Sequence, residues 1–360
     1  MVLVESPPRM TPLAQVLAAR IRAHGPMSLA DYMAECLLHP QFGYYTTQNP
    51  FGAQGDFITA PEISQMFGEL LGLSLAQAWI DQGAPNPFTL AELGPGRGTL
   101  MADMLRATKA VPGFHAAMRV VLVEASARLR AIQAQSLQGY QPMWADSVQD
   151  LPLNPLFLVA NEFFDALPIR QCQRAGLGWR ERLVGLSAEA LAFGLGPVVP
   201  IAGLADRLAD TAEGDIVELC PQAPAIMAEI AARMADKGAA LIIDYGGWRS
   251  LGDTFQAVQA HQPVDPFAAP GQADLTAHVD FAALAASAHP ASHAYTTQGA
   301  LLSALGLAQR SARLAQNLSG AALQSHLAAT QRLTAPAEMG TLFKVLALHP
   351  AHYPAPPGSA

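Results

Sequence analysis

Three glycines at alternate positions, Gly94, Gly96 and Gly98, lie in the run AELGPGRGTL (91–100), with the acidic Glu92 two places ahead of the first. Glycine tolerates the positive φ of a sharp turn and lets the backbone approach a ligand closely. Further on, Glu124 closes the apolar run RVVLVE, and Asp146 with Ser147 closes PMWADS. NEFFDALP (161–168) offers Asn161, Glu162 and Asp165 among Phe163 and Phe164, and IIDYGG (242–247) offers Asp244 and Tyr245. GDFITAPEIS (55–64) places Asp56, Thr59 and Glu62 around the start of a helix. These groups can bind cations, hold hydroxyls and accept protons.

The spacing narrows the ligand. A dinucleotide fingerprint, G-x-G-x-x-G, needs glycine where Thr99 stands, and a phosphate loop needs G-K-S/T, which is absent. A carboxylate at Glu92 would repel a pyrophosphate but suits the cationic amino and sulfonium groups of S-adenosylmethionine. Glu124 would then accept the ribose hydroxyls, unless it only caps the following helix. Asp146 and Ser147 would face the adenine, or serve as a helix N-cap. Asn161, Glu162 and Asp165 would stand at the acceptor, where paired carboxylates can hold a guanidinium fork, or would cap a helix while the two phenylalanines enter the core. Asp56 and Thr59 would contact a ligand carboxylate at a helix start; a capping box between Thr59 and Glu62 explains the same pattern.

The elements that must position these residues alternate. Apolar runs at 88–94, 119–124, 142–146, 156–161 and 239–245 are separated by helical segments, which predicts a parallel sheet covered on both faces. A last strand is expected at 341–349, antiparallel at the sheet edge. Two helices are expected over 12–38, punctuated by Gly25 and Ser28, and one long helix over 61–80 with Pro61 in its first turn. The predicted organisation is an N-terminal helical segment with a cofactor and substrate loop (1–80), a Rossmann-like core (81–165 and 238–350), an insertion (166–237) containing a hairpin and a helix, a loop-rich second insertion (246–290) and a disordered tail (351–360).

Composition removes other classes. The 360 residues are 51% hydrophobic and 14% charged, with net charge −8 and no basic run, so nucleic acid is not an expected partner. No apolar run reaches the roughly 20 residues of a membrane span. Cys36, Cys172 and Cys220 are scattered and read as buried thiols of a reducing compartment. No His/Cys/Asp cluster has metal spacing, so no metal is expected. The N-terminus carries no secretory or mitochondrial leader pattern, which points to the bacterial cytoplasm.

The stretches GDFITAPEISQMFGELLG, ELGPGRGTLMADMLR, LVEASARLRAIQ, NEFFDALPIRQ, PGQADLTAHVDF and MGTLFKVLAL, in this order, resemble the MidA-like methyltransferases, whose mitochondrial members are known as complex I assembly factor 7. The resemblance implies a seven-stranded S-adenosylmethionine-dependent methyltransferase fold, with Gly94, Gly96 and Gly98 in the cofactor loop and S-adenosylhomocysteine as product. It also implies symmetric dimethylation of arginine in a protein substrate, the 49-kDa-type subunit of respiratory complex I. It leaves room for a homodimer. The alternatives are a methyltransferase for another protein or a small molecule, and a non-catalytic assembly factor.

Overall fold

The computed structural model describes residues 10–48 and 59–359. At its centre are seven strands: β1 (Phe88–Leu93), β2 (Met118–Val123), β3 (Met143–Ala145), β4 (Leu156–Asn161), β5 (Gly238–Gly247), β6 (Ser292–Thr297) and β7 (Phe343–His349). They are ordered β3-β2-β1-β4-β5-β7-β6, and only β7 runs against its neighbours. The chain steps outward from β1 to β3, then returns to place β4 on the other side of β1. That reversal opens a crevice at the carboxyl ends of β1 and β4, where open α/β sheets bind ligands.

Register brings the strand-end residues together. Leu93 pairs with Val123 and with Ala160, Val123 with Ala145, and Asn161 with Ile243. The residues that follow, Gly94, Glu124, Asp146, Glu162 and Asp244, therefore share one rim. β1 and β4 are buried along their whole length, as expected for strands covered on both faces.

On one face lie the helices Gln65–Asp81 and Thr99–Thr108. They approach closely because Gly68 and Gly72 present no side chain: a Cβ there would come within 2.7 Å of the Asp103 Cβ and 2.8 Å of the Met104 Cα. Glu69, buried between them, accepts from Arg106 (2.9 Å) and Arg310 (2.7 Å); burial alone would raise its pKa, but the two guanidiniums hold it below the usual value. On the other face the helices Ala223–Arg233 and Phe281–Ser287 pack against Leu158, Ile242 and Leu346.

The expected single helix over 61–80 is instead two, Ala60–Ile63 and Gln65–Asp81. Ser64 is extended (φ −158°, ψ 132°) and its Oγ accepts the Met66 N–H at 3.3 Å, so a cap interrupts the apolar pattern. The last strand, β7, is antiparallel but is not the edge, because β6 pairs outside it. Within 166–237, the strands Arg170–Ala175, Gly178–Ser187, Ala190–Val199 and Ile216–Leu219 form an antiparallel sheet. The helix Ala223–Arg233 instead returns to the central sheet as the crossover from β4 to β5. The stretch 246–290 carries a small three-stranded sheet as well as loops. The helices Pro12–His24 and Leu29–Leu38 share a hydrophobic cluster with Ile169, Val184 and Leu275, so the N-terminus and the two inserted segments form one packed lobe.

The tail expected to be disordered is packed through Ser359: Ser74 Oγ donates to the Pro357 carbonyl at 2.8 Å, and Gly358 lies against Leu305. A proline-rich strip has little chain entropy to lose on docking. No helix among the described residues is long and apolar enough to cross a membrane.

Candidate active site

An open pocket, about 740 Å³ with the solvent space at its mouth included, lies at the crevice between β1 and β4. Its wall joins the glycine loop, the NEFFD turn after β4, the end of β5 and residues brought from far away: Tyr45, Thr59, Asp274 and Thr276.

The loop is held in left-handed backbone. Gly94, Gly96 and Gly98 have φ of +60°, +51° and +80°, a region costly for residues with a Cβ. A Cβ at Gly94 would also sit 3.0 Å from the Phe163 ring. Gln133, fully buried, donates to the Gly96 carbonyl (2.8 Å) and to the Glu124 carboxylate (3.1 Å), and accepts from the Trp144 indole (2.8 Å). The loop is thus tied to the ends of β2 and β3 through a residue with no motif signature.

Glu92 is buried in the cavity wall, and its Oε2 has no hydrogen-bonding partner among the described residues. Burial pushes its pKa up to about 8; the Met101 N–H opposes this and the Glu124 charge adds to it. Glu124 lies behind the loop, off the cavity wall. Its carboxylate accepts the Ser126 N–H at 2.8 Å, so it does cap the following helix while also gripping Gln133. Burial raises its pKa against those bonds. Asp146 is 85% exposed and ion-paired to Arg130 at 2.5 Å. Ser147 exchanges hydrogen bonds with Asp150 and caps the turn Val148–Asp150, the local option left open by the sequence.

On the other side of the loop the NEFFD turn is pinned from below. Asp244, fully buried, accepts the N–H groups of Phe164 (3.0 Å), Asp165 (3.2 Å) and Tyr245 (3.0 Å). Glu162 has φ +53°, strained backbone for a residue with a side chain. Its Oε1 accepts from Asn161 Nδ2 (3.0 Å) and from the Ala60 N–H (3.3 Å), tying it to the short helix Ala60–Ile63. Its pKa is pushed up to about 7 by burial and by neighbouring Asp165, with the Asn161 and Ala60 donors pulling the other way. Asp165 accepts the Tyr245 hydroxyl at 2.6 Å. Burial raises its pKa and that of Asp244. Asn161 Oδ1 and Asp165 Oδ1 are buried with no hydrogen-bonding partner among the described residues.

Phe163 and Phe164 pack toward the core; the rings on the cavity wall belong to Tyr45 and Tyr245. The capping box between Thr59 and Glu62, the alternative to ligand contact, is not formed. Thr59 makes no side-chain cap bond, and Glu62 reaches across to accept the Thr99 hydroxyl at 2.6 Å and to face Arg97 at 3.6 Å. Asp56 lies outside the described residues. Sequence reading missed Gln133, Tyr45, Asp274 and Thr276. Tyr45 and Asp274, bonded to each other at 2.9 Å, fall in the stretches FGYYTT and PGQADLT, whose odd composition for loops was the available signal.

Residues 70–299 match the model of a family of S-adenosyl-L-methionine-dependent methyltransferases. The chain belongs to this family. The methyltransferase is 37% identical to the mitochondrial protein arginine methyltransferase NDUFAF7 of Bos taurus, over 95% of this chain and 84% of that one. It is 41% identical to the Danio rerio NDUFAF7 protein, over 74% of this chain and 70% of that one. A Burkholderia thailandensis protein solved with S-adenosyl-homocysteine bound superposes with a TM-score of 0.81 at 32% identity, covering 96% of this chain and 95% of that one.

The cofactor fits the residues present. The left-handed loop carries no side chains at Gly94, Gly96 and Gly98, and Glu92 Oε2, without a partner among the described residues, is an acceptor that the amino group of S-adenosylmethionine would satisfy.

Proposed function

We propose that this methyltransferase modifies arginine in a protein substrate, the 49-kDa-type subunit of respiratory complex I, giving symmetric dimethylarginine and S-adenosylhomocysteine, and that it works in the bacterial cytoplasm. The arginine preference is supported by the relatives named as protein arginine methyltransferases. The observation that carries it in this chain is the acceptor wall beside the glycine loop, where Asn161 Oδ1 and Asp165 Oδ1 are buried acceptors without donors among the described residues, next to Glu162. A buried acceptor left unpaired costs about 1–3 kcal/mol. A planar cation with several N–H groups answers that wall better than a neutral ligand.

S-adenosylmethionine, when bound, supplies an electrophilic methyl on its sulfonium. The residues of this chain do the rest. Asp165 and Asn161 orient the guanidinium by accepting its N–H groups. Tyr245 fixes the Asp165 carboxylate through its hydroxyl, and Asp244 fixes the turn that carries both. Glu162, with its pKa near 7, takes the proton that the guanidinium nitrogen loses as it is methylated. Tyr45 and Tyr245 narrow the wall against water.

The test is incubation with methyl-labelled S-adenosylmethionine and the 49-kDa-type subunit, followed by residue-level mass spectrometry. The reading expects label on arginine. Label on a different residue type, or on a different substrate only, overturns it.

A further inference from the structure

The pocket wall holds two aspartate–tyrosine pairs. Asp165 accepts the Tyr245 hydroxyl at 2.6 Å, and Asp274 accepts the Tyr45 hydroxyl at 2.9 Å; all four residues line the same pocket. We propose that the Asp274–Tyr45 pair is the second half of the guanidinium clamp: Asp274 takes the far ω-nitrogen while the Asp165 side holds the one that is methylated. The inference rests on the arginine reading above and deepens it.

One short strand supports both pairs. Asp274 and Thr276 are alternate residues of the strand Asp274–Thr276, so they share the face that lines the pocket. Leu275, between them, joins the lobe's hydrophobic cluster with Ile169 and Val184. Asp274 meets Tyr45, and Thr276 stands beside the Tyr245 hydroxyl. Next along, the Ala277 N–H donates to the Asp165 carbonyl at 3.0 Å, which fixes the strand against the NEFFD turn. The lobe thus adds a carboxylate to a wall whose Glu162 and Asp165 come from the core.

Asp274 and Asp165 are 7% and 5% exposed. Two buried carboxylates in one wall repel each other, and each loses solvation that a facing cation offsets. Tyr45 does not supply that charge. Burial, and then the Asp274 and Asp165 charges, hold its hydroxyl well above the usual pKa, so it stays a neutral donor. Its hydrogen bond and that of the Leu275 N–H (3.0 Å) both fall on Asp274 Oδ1 and orient the carboxylate. A lysine ammonium is a point charge that one carboxylate answers, whereas a guanidinium spreads its charge over two ω-nitrogens and matches a pair. Each transfer breaks an S–C bond of the sulfonium and forms an N–C bond, and the nitrogen gives up one proton. Monomethylarginine therefore keeps one N–H on its methylated nitrogen. With that nitrogen turned to the far position, the N–H still donates to Asp274, and the unmethylated twin takes the reacting position.

The test uses the full chain with methyl-labelled S-adenosylmethionine and the 49-kDa-type subunit, read by residue-level mass spectrometry, with calorimetry of S-adenosylhomocysteine alongside. D274N keeps an acceptor for Tyr45 and removes the charge. It is expected to lower kcat/KM for the subunit about 10- to 100-fold, the range for losing a hydrogen bond to a charged group. It should also lower the ratio of dimethyl- to monomethylarginine and leave S-adenosylhomocysteine affinity unchanged. Y45F should lower kcat/KM about 2- to 10-fold, the range for a neutral hydrogen bond. The double variant should lie close to D274N alone, because Tyr45 acts through Asp274. Melting temperatures check folding, and if D274N does not fold, Y45F decides. Wild-type kcat/KM in folded D274N or Y45F, an unchanged product ratio in D274N, losses that add in the double variant, or an equal loss of S-adenosylhomocysteine affinity would each overturn the proposal. Absence of label on arginine with the wild type would fault the arginine reading itself, and this proposal with it.

Discussion

The two halves of the strand-end rim use their polar groups differently. At the ends of β2 and β3, Glu124 is bonded to Ser126 and Gln133, Asp146 to Arg130, and Ser147 to Asp150. All of these partners lie between residues 126 and 150, on the same stretch of chain as the strand ends they satisfy, so this half is largely self-satisfied. At the ends of β1 and β4, Glu92, Asn161 and Asp165 keep buried oxygens without partners among the described residues. Folds rarely leave buried acceptors unmet, so the second half is where a ligand completes the structure. In the proposed function the first half sets the shape of the site, and the second supplies its chemistry.

The sharpest way to break this contrast is at the loop between the halves. Gly96→Val should abolish S-adenosylhomocysteine binding by calorimetry, since a β-branched residue at φ +51° forces the loop out of its conformation. A folded variant with unchanged affinity would make the loop structural only.

Next in size, Asp165→Asn should lower the methyl-transfer rate by about 10-fold or more, within the range for losing a positioned charged group, while cofactor affinity stays unchanged. Single-turnover transfer of labelled methyl measures it, and an unaltered rate would remove Asp165 from the acceptor wall.

On the self-satisfied half the effect should be smaller. Glu124→Ala should weaken S-adenosylhomocysteine binding by about 1–3 kcal/mol, because Gln133 and the Gly96 carbonyl lose their anchor. An unchanged dissociation constant would reduce Glu124 to a helix cap.

The smallest effect is on stability. The folded pKa of Glu92 is raised to about 8, so its contribution to stability is present below its unfolded value and is lost as pH rises through about 8. Glu92→Gln should therefore melt about 2 °C or more above the wild type at pH 8 without ligand, and the gap should close toward pH 4.5. A gap that is constant with pH would mean the carboxyl is not desolvated.

The sequence made much of this rim legible. Parallel strands buried on both faces read as apolar runs, and the residues just past them, Gly94, Glu124, Asp146 and Glu162, stand out by type. The half-exposed β6, SHAYTT, has no apolar run and went unseen. The break at Ser64 is hidden because both flanking helices are apolar. Gln133 gives no warning because its role depends on a bridge between a carbonyl and a carboxylate in different elements. Tyr45 and Asp274 reach the cavity only through packing of the N-terminal and inserted segments.

The most direct test of the central claim is the Glu162→Gln enzyme, compared with wild type for both S-adenosylhomocysteine affinity and single-turnover transfer to arginine across pH. Glu162 must be deprotonated to accept a proton, so wild-type transfer should rise with pH through about 7. In the variant, affinity should be retained while transfer is lost at every pH, because shape stays and basicity goes. Full transfer by Glu162→Gln, with the wild-type pH profile, would contradict the account and reduce the NEFFD turn to a cap over the core.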